Sequence, residues 1–202
     1  MSTDHYAIII LAAGNSSRLG QPKQLLEYKG KTLLQNAVDE ALGTGAEHVV
    51  VILGANAGNI KAGIKGDGIT FLENPDYRKG MASGISLGTG YLEKKTGNNT
   101  DGILIMLCDQ PFVNSGLLTA LMKKREETGA PVVASRYGNR KGVPAVFHRN
   151  VFPELRELTG DQGAKGIIRN YADRTETVEF PQGHIDIDTM EDYHRLTEGD
   201  KN

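Results

Sequence analysis

The chain has 202 residues, of which 24% are charged and 39% hydrophobic, and a formal net charge of −2. That length supports one sizeable core in one domain or at most two small ones, and the scattered lysines and arginines exclude the basic stripe of a general nucleic-acid binder. Cys108 is the only cysteine, which excludes a disulfide framework and a thiolate zinc site within the chain and points to a reducing compartment.

The first apolar run, Tyr6 to Ala13, is too short to span a membrane and follows Asp4 rather than a basic region, so a cytoplasmic location is expected. Its first part, Tyr6 to Leu11 (YAIIIL), reads as a strand buried on both faces. The stretch LAAGNSSRLGQPKQLL (11 to 26) follows directly. It is not a Walker A loop, because five residues separate Gly14 from Gly20 and Lys23 comes three later. It is not a dinucleotide fingerprint either, since Ser16 stands where the second glycine belongs. Gly14 and Gly20 let the backbone turn tightly and bring N–H groups close to a ligand, while Arg18 and Lys23 supply cations suited to phosphate oxygens.

Lys31 to Leu42 carries apolar residues at helical spacing. His48 to Leu53 is a second buried strand and Ile69 to Leu72 a short third. Asn74 and Pro75 close that strand in NPDYRKGMASG (74 to 84), where Gly80 and Ser83 precede a helix marked by Met81, Ile85, Gly88 and Leu92. Helix N-termini offer free N–H groups to a nucleotide, although Asn-Pro followed by Gly is also ordinary turn chemistry. Ile103 to Leu107 is another buried strand, followed by a helix through Leu117, Leu118, Leu121 and Met122 with Asn114 as its cap. Pro131 to Ser135 reads as one more strand.

This order predicts a three-layer α/β/α architecture: a mostly parallel, Rossmann-like central sheet with helices on both faces. One domain is expected over 1–202, in a first part (1–135) and a second (136–202). Beyond Arg136, glycines, charges and the short run Pro144 to Phe147 suggest a smaller mixed region lying over the sheet.

In such a sheet, ligands bind beyond the carboxyl ends of the strands. Asp109, in LCDQPFV (107 to 113), stands there as a natural Mg²⁺ ligand; a turn or helix-cap role is the plainer alternative. Cys108 beside it reads as a small buried residue rather than a nucleophile. In DIDTMED (186 to 192), Asp186 and Asp188 point the same way from an extended segment, and either can complete a metal site with Asp109. Asp188 also heads a D-x-x-E helix-capping pattern with Glu191, the stronger single explanation for it. The histidines at 5, 48, 148, 184 and 194 lack metal-ligand spacing.

Taken together and in order, LAAGNSSRLGQPKQLL, NPDYRKGMASG, LCDQPFV, RKGVPAVF, GDQGAK and DIDTMED resemble the MobA-like nucleotidyltransferases, and within them the molybdenum cofactor cytidylyltransferases. The resemblance implies the fold of nucleotide-diphospho-sugar transferases. It also implies a nucleoside triphosphate, CTP or less expectedly GTP, with its phosphates on the loop Gly14, Asn15, Ser16, Ser17 and Arg18. Lys23 would lie near the attacked α-phosphate, and Leu11, Ala12 and Ala13 would line the base, with Gly54, Asn74, Gly80, Met81 and Ser83 completing the nucleotide site. Arg18, Lys23 and Asp109 would carry catalysis. Asp109 would bind Mg²⁺ (or Mn²⁺) with Asp186 or Asp188.

Gly142, Pro144, Gly160, Asp161, Gly163 and Lys165 would lie on the side of the acceptor, molybdopterin. Its phosphate would attack the α-phosphorus and release pyrophosphate. Ala13 places the chain with LAAG cytidylyltransferases rather than LAGG guanylyltransferases. Departures from the pattern are Gly84, Val143, Lys165 and Met190, of which Val143 and Lys165 touch the acceptor region. The alternatives are a transferase with another phosphorylated acceptor, such as a sugar phosphate, and a non-catalytic molybdopterin carrier or chaperone. A molybdoenzyme or its chaperone is a further expected partner; nucleic acid and membrane are not.

Overall fold

The structure is a computed structural model that describes residues 5–14, 16, 19–97 and 99–199. All seven residues of β1 (Tyr6–Ala12) are buried. Its side chains alternate between two cores, with Tyr6, Ile8, Ile10 and Ala12 on one face and Ala7, Ile9 and Leu11 on the other. Next comes a small hairpin, β2 (Glu27–Tyr28) with β3 (Lys31–Thr32). The helical spacing from Lys31 therefore becomes a helix only at α1 (Leu33–Leu42), where the Thr32 side chain accepts from the Gln35 amide at 3.1 Å as N-cap.

The chain continues through β4 (His48–Leu53), α2 (Ala57–Ala62), β5 (Ile69–Glu73), α3 (Met81–Thr96), β6 (Gly102–Leu107) and α4 (Ser115–Thr128). Asn114 caps α4 by accepting from the Leu117 amide at 2.9 Å. Then follow β7 (Val132–Tyr137), β8 (Arg140–His148), α5 (Phe152–Arg156), α6 (Ala164–Asn170), β9 (Thr175–Glu179) and α7 (Met190–Gly199).

Seven strands form one sheet in the order β5-β4-β1-β6-β8-β7-β9, parallel throughout except for β8. The chain runs outward from β1 through β4 to β5, then crosses back to β6 on the other side of β1. The carboxyl ends of β1 and β6, paired at Leu11 and Leu107, thus form a switch point, where the loops diverge and leave a crevice.

The second half does not lie over the sheet, as its texture suggests, but is woven into it. β8 pairs antiparallel with both β6 and β7, and β9 closes the edge beside β7. Gly142 to Phe147 are buried because β8 is an interior strand, so their apolar run has a neighbour on each side. Pro144 is tolerated there because the β7–β8 register shifts between Ala134 and Ser135, and the Ser135 hydroxyl donates to the Pro144 carbonyl at 2.7 Å.

One face of the sheet is covered through Leu34, Val38, Ile60 and Leu118, the other through Ile85, Leu92, Leu155 and Ile167. A third cluster joins Leu19, Leu26, Tyr28 and Leu33 to Ile187 and Leu196. It fastens α7 and the segment before it to the loop after β1, and burial of Ile187 and Leu196 contributes about 1.5–3 kcal/mol each. The Tyr193 hydroxyl adds a hydrogen bond to the Glu27 carbonyl at 2.7 Å.

Candidate functional site

A cavity of about 500 Å³ opens at the switch point. Leu11 to Gly14 form one wall, Leu107 to Asp109 a second, and the start of α3 with Asn74, Tyr77 and Arg78 a third. Its charged end is built around Lys23. The chain leaving β1 is pinned by Gln24, only 1% exposed, whose amide donates to the carbonyls of Ala12 at 2.6 Å and Gly14 at 3.1 Å. The Lys23 amide donates to Ser16 Oγ at 2.9 Å. These bonds fix the backbone from which the Lys23 side chain reaches into the cavity.

Lys23 Nζ donates to Asp109 Oδ2 and, at 2.9 Å, to Asp188 Oδ1. Burial alone would lower its pKa, but the facing Asp109, helped by Asp188, more than offsets this and holds the ammonium charged well above the usual lysine range. The two carboxylates, Asp109 from mid-chain and Asp188 from near its C-terminal end, come from distant parts of the sequence. The Ile187 amide donates to the Asp109 carbonyl at 3.0 Å, and fully buried Ile187 leaves its flanking aspartates outward: Asp188 meets Lys23, whereas Asp186 lines a separate pocket with Phe112 and Asp192. Asp186 sits beside Gln110 and Tyr137. Loss of surrounding water, then the like charges of Asp109 and Asp188, push its carboxyl up to about 6. The Cys108 thiol is pushed up to about 12 by burial and by the Asp109 charge, which fits a packing role.

The capping expected of Asp188 belongs to its neighbour. Thr189 Oγ1 accepts from the Asp192 amide at 3.2 Å, and Asp192 accepts from the Thr189 amide at 2.9 Å, a reciprocal box one residue further on. The Asp188 carboxylate is thereby released to meet Lys23.

Asp109 is buried, and its Oδ1 has no hydrogen-bond partner among the described residues, although Oδ2 is taken by Lys23. An orphaned carboxylate oxygen in the wall of a cavity is suited to ligate a hard cation. Among the described residues no group of three or more His, Cys, Asp and Glu closes around a metal. This donor set fits Mg²⁺ or Mn²⁺ that takes one or two carboxylates and draws its remaining ligands from phosphate oxygens and water.

At the opposite end, the Asn74 amide donates to Ser83 Oγ at 2.8 Å, and Ser83 in turn donates to the Gly80 carbonyl at 2.8 Å. Gly80, with φ +100°, turns the chain into α3, and a Cβ there would lie 2.2 Å from Asp161 Oδ1 and 2.6 Å from the Gly160 carbonyl. The segment expected on the acceptor side thus reaches the nucleotide-side turn, and Asp161 lines the cavity.

Of the expected nucleotide residues, Leu11, Ala12, Ala13, Gly14, Lys23, Asn74, Gly80 and Met81 line the cavity. Ser83 stands behind Asn74, and Ser16 faces a smaller pocket across the loop, with Gly20 and Asn56. Gly54 lies beneath the cavity; a Cβ there would come 2.6 Å from the Ala13 carbonyl. Asn15, Ser17 and Arg18 lie outside the described residues. Gly163 packs against Met81, Lys165 is exposed in the first turn of α6, and Gly142 and Pro144 sit on β8, Gly142 against the Tyr137 hydroxyl. Gln24, Tyr77 and Arg78 escape the sequence patterns. Tyr77 and Arg78 sit inside NPDYRKGMASG and were findable from its placement after a strand, whereas nothing local marks a buried glutamine.

The fold and the position of this crevice define the class, a Rossmann-like α/β nucleotidyltransferase. The chain belongs to the MobA-like NTP transferase family, whose domain model matches residues 8–176. It is 30% identical over 200 residues to nicotine blue oxidoreductase of Paenarthrobacter nicotinovorans, covering 93% of this chain and 94% of that one. It is 30% identical over 160 residues to a Bacillus anthracis protein named "Probable molybdenum cofactor guanylyltransferase", covering 78% and 75%. The crystal structure of Rv0371c from Mycobacterium tuberculosis superposes with a TM-score of 0.82 at 30% identity, over 98% of this chain and all of that one. A second structure of that protein, in complex with manganese, gives 0.78 at 28% identity, over 98% and 100%. Among the described residues no helix is long and apolar enough to cross a membrane.

Proposed function

We propose that the chain transfers a CMP group from CTP to the phosphate of a molybdopterin-type acceptor and releases pyrophosphate. The observation that carries this reading is the pairing of Lys23 with buried Asp109, whose Oδ1 has no hydrogen-bond partner among the described residues, in the wall of a cavity large enough for a nucleotide. Lys23 and Arg18 hold the triphosphate, with Lys23 at the α-phosphate. Asp109, with Asp186 or Asp188, holds Mg²⁺ or Mn²⁺, which when bound neutralises charge on the phosphates. The protein supplies in-line positioning and a fixed positive charge where negative charge builds up, and needs no covalent nucleophile.

The acceptor side comprises Gly142, Pro144 and the Gly160 to Lys165 segment. A manganese-bound relative and a relative named for molybdenum cofactor transfer support the metal and the acceptor. The oxidoreductase name of another relative concerns that protein.

Ala13, which lines the cavity, supports CTP; the guanylyltransferase relatives favour GTP as the second reading. The test is Mg²⁺-dependent pyrophosphate release from CTP and from GTP in the presence of molybdenum cofactor. Faster release from CTP, abolished in Asp109→Ala, is expected. Preference for GTP overturns the cytidylyl assignment, and release that survives Asp109→Ala overturns the metal assignment.

A further inference from the structure

We infer that Lys23 gates the metal site: without a nucleotide its ammonium holds the carboxylates that the metal needs, and it releases them only when phosphates take the ammonium over. The inference rests on the metal and triphosphate assignments proposed above. Lys23 Nζ donates to Asp109 Oδ2 and, at 2.9 Å, to Asp188 Oδ1. Among the described residues it is the one cation paired with either carboxylate. The Lys23 and Asp109 side chains are only 13% and 11% exposed, so water and salt screen this pair weakly.

Competition follows from the shared ligand groups. A divalent cation held by Asp109 and Asp188 must displace the ammonium or lie against it, and repulsion at that range is strong where water is scarce. Asp109 Oδ1, without a partner among the described residues, offers a foothold, but a single oxygen beside an ammonium is a poor site. Lys23 also needs somewhere to go. Its backbone is held by Ser16, and the neighbouring Gln24 is bonded to the Ala12 and Gly14 carbonyls, so the side chain alone can swing. Its stem runs along the loop assigned to the phosphates: a Cβ on Gly14 would stand 3.6 Å from Lys23 Cε. A phosphate on that loop is an anion that can receive the ammonium. Metal and triphosphate therefore bind with positive coupling, each weakly alone and tightly together.

The experiment is titration with Mn²⁺ alone, without nucleotide or acceptor, read by electron paramagnetic resonance on the wild type, Lys23→Met, Lys23→Gln and Arg78→Gln. Removing the competing ammonium should tighten Mn²⁺ binding at least about tenfold in both Lys23 variants. Lys23→Gln guards against a folding failure of Lys23→Met, because its amide can still donate to Asp109. Arg78 is the other cation among the residues lining the cavity, and it donates to the Tyr77 hydroxyl rather than to either carboxylate. Its neutralisation should change the affinity by less than about threefold, since a charge outside the pair acts only through screened space. A smaller gain in the Lys23 variants, or an equal gain in Arg78→Gln, overturns the gate. A gain that persists when Asp109→Ala is added to Lys23→Met overturns instead the metal assignment on which the gate rests.

Discussion

Lys23 and Asp188 are 165 positions apart in the sequence, and the ammonium of one lies 2.9 Å from the carboxylate of the other, with Asp109 on its second side. One cation thus ties the loop after β1 to the end of β6 and to the segment before α7. The site is closed electrostatically by the residue that the proposed mechanism also assigns to the triphosphate.

Removing that cation should therefore cost stability as well as activity. Lys23→Met leaves Asp109 buried without its partner, which should destabilise the metal-free protein by about 3 kcal/mol and lower transferase activity at least about 100-fold. Urea denaturation in the presence of a chelator measures the first, and pyrophosphate release the second. Unchanged stability would show that the contact with Asp109 is not an energetic link.

The raised pKa of Asp186 gives a pH signature. Its folded-state value of about 6 lies above the ordinary 3.8, so between these values the folded protein binds more protons than the unfolded one. Stability therefore declines as pH rises through this window, and the cost of the charge is complete above it. In metal-free protein, Asp186→Asn should be more stable than the wild type at pH 8 and indistinguishable from it near pH 4. Denaturation curves across that range decide the matter, and a difference that does not vary with pH would contradict the assignment.

Gln24 is expected to matter for nucleotide binding without touching the reacting atoms. Gln24→Ala leaves the Ala12 and Gly14 carbonyls without their donor, a loss of about 1–3 kcal/mol felt in the wall of the cavity. The Michaelis constant for the nucleotide should rise more than the turnover number falls. A pure loss of turnover would place Gln24 in a different role.

The Thr189–Asp192 box holds the end of the segment that bears Asp188. Thr189→Ala should destabilise the protein by about 1 kcal/mol and weaken Mn²⁺ binding, as read by electron paramagnetic resonance. Asp192→Ala should reproduce both effects, since the two side chains cap each other.

The buried parallel strands are legible in the sequence because a strand covered on both faces must be apolar along its buried length, as VVVIL (49–53) is. The cap at Asn114 is legible because its bond is local. β8 is not, because its first residues, Arg140 and Lys141, are exposed and its buried part carries a glycine and a proline, which mimic a turn. The helix start at α7 is displaced by one residue because two overlapping patterns, D-x-x-E and T-x-x-D, satisfy the same rule, and only packing chooses between them. Tyr77 and Arg78 line the cavity and lie within NPDYRKGMASG, so its placement after a strand marks them as candidates.

The interior position of β8 has a consequence for how the molecule is made. β6 pairs on one side with β1, which is already made, but its other neighbour, β8, is synthesised well after it, and β7, the next strand made, does not pair with it. A nascent chain emerging from the ribosome therefore carries a hydrophobic, unpaired β6 edge until residue 148 has been released. During that interval the edge is open to pairing with other chains. The order of synthesis and the order of assembly are out of step at the strand that leads to Asp109, so the crevice can be completed only after most of the polypeptide exists.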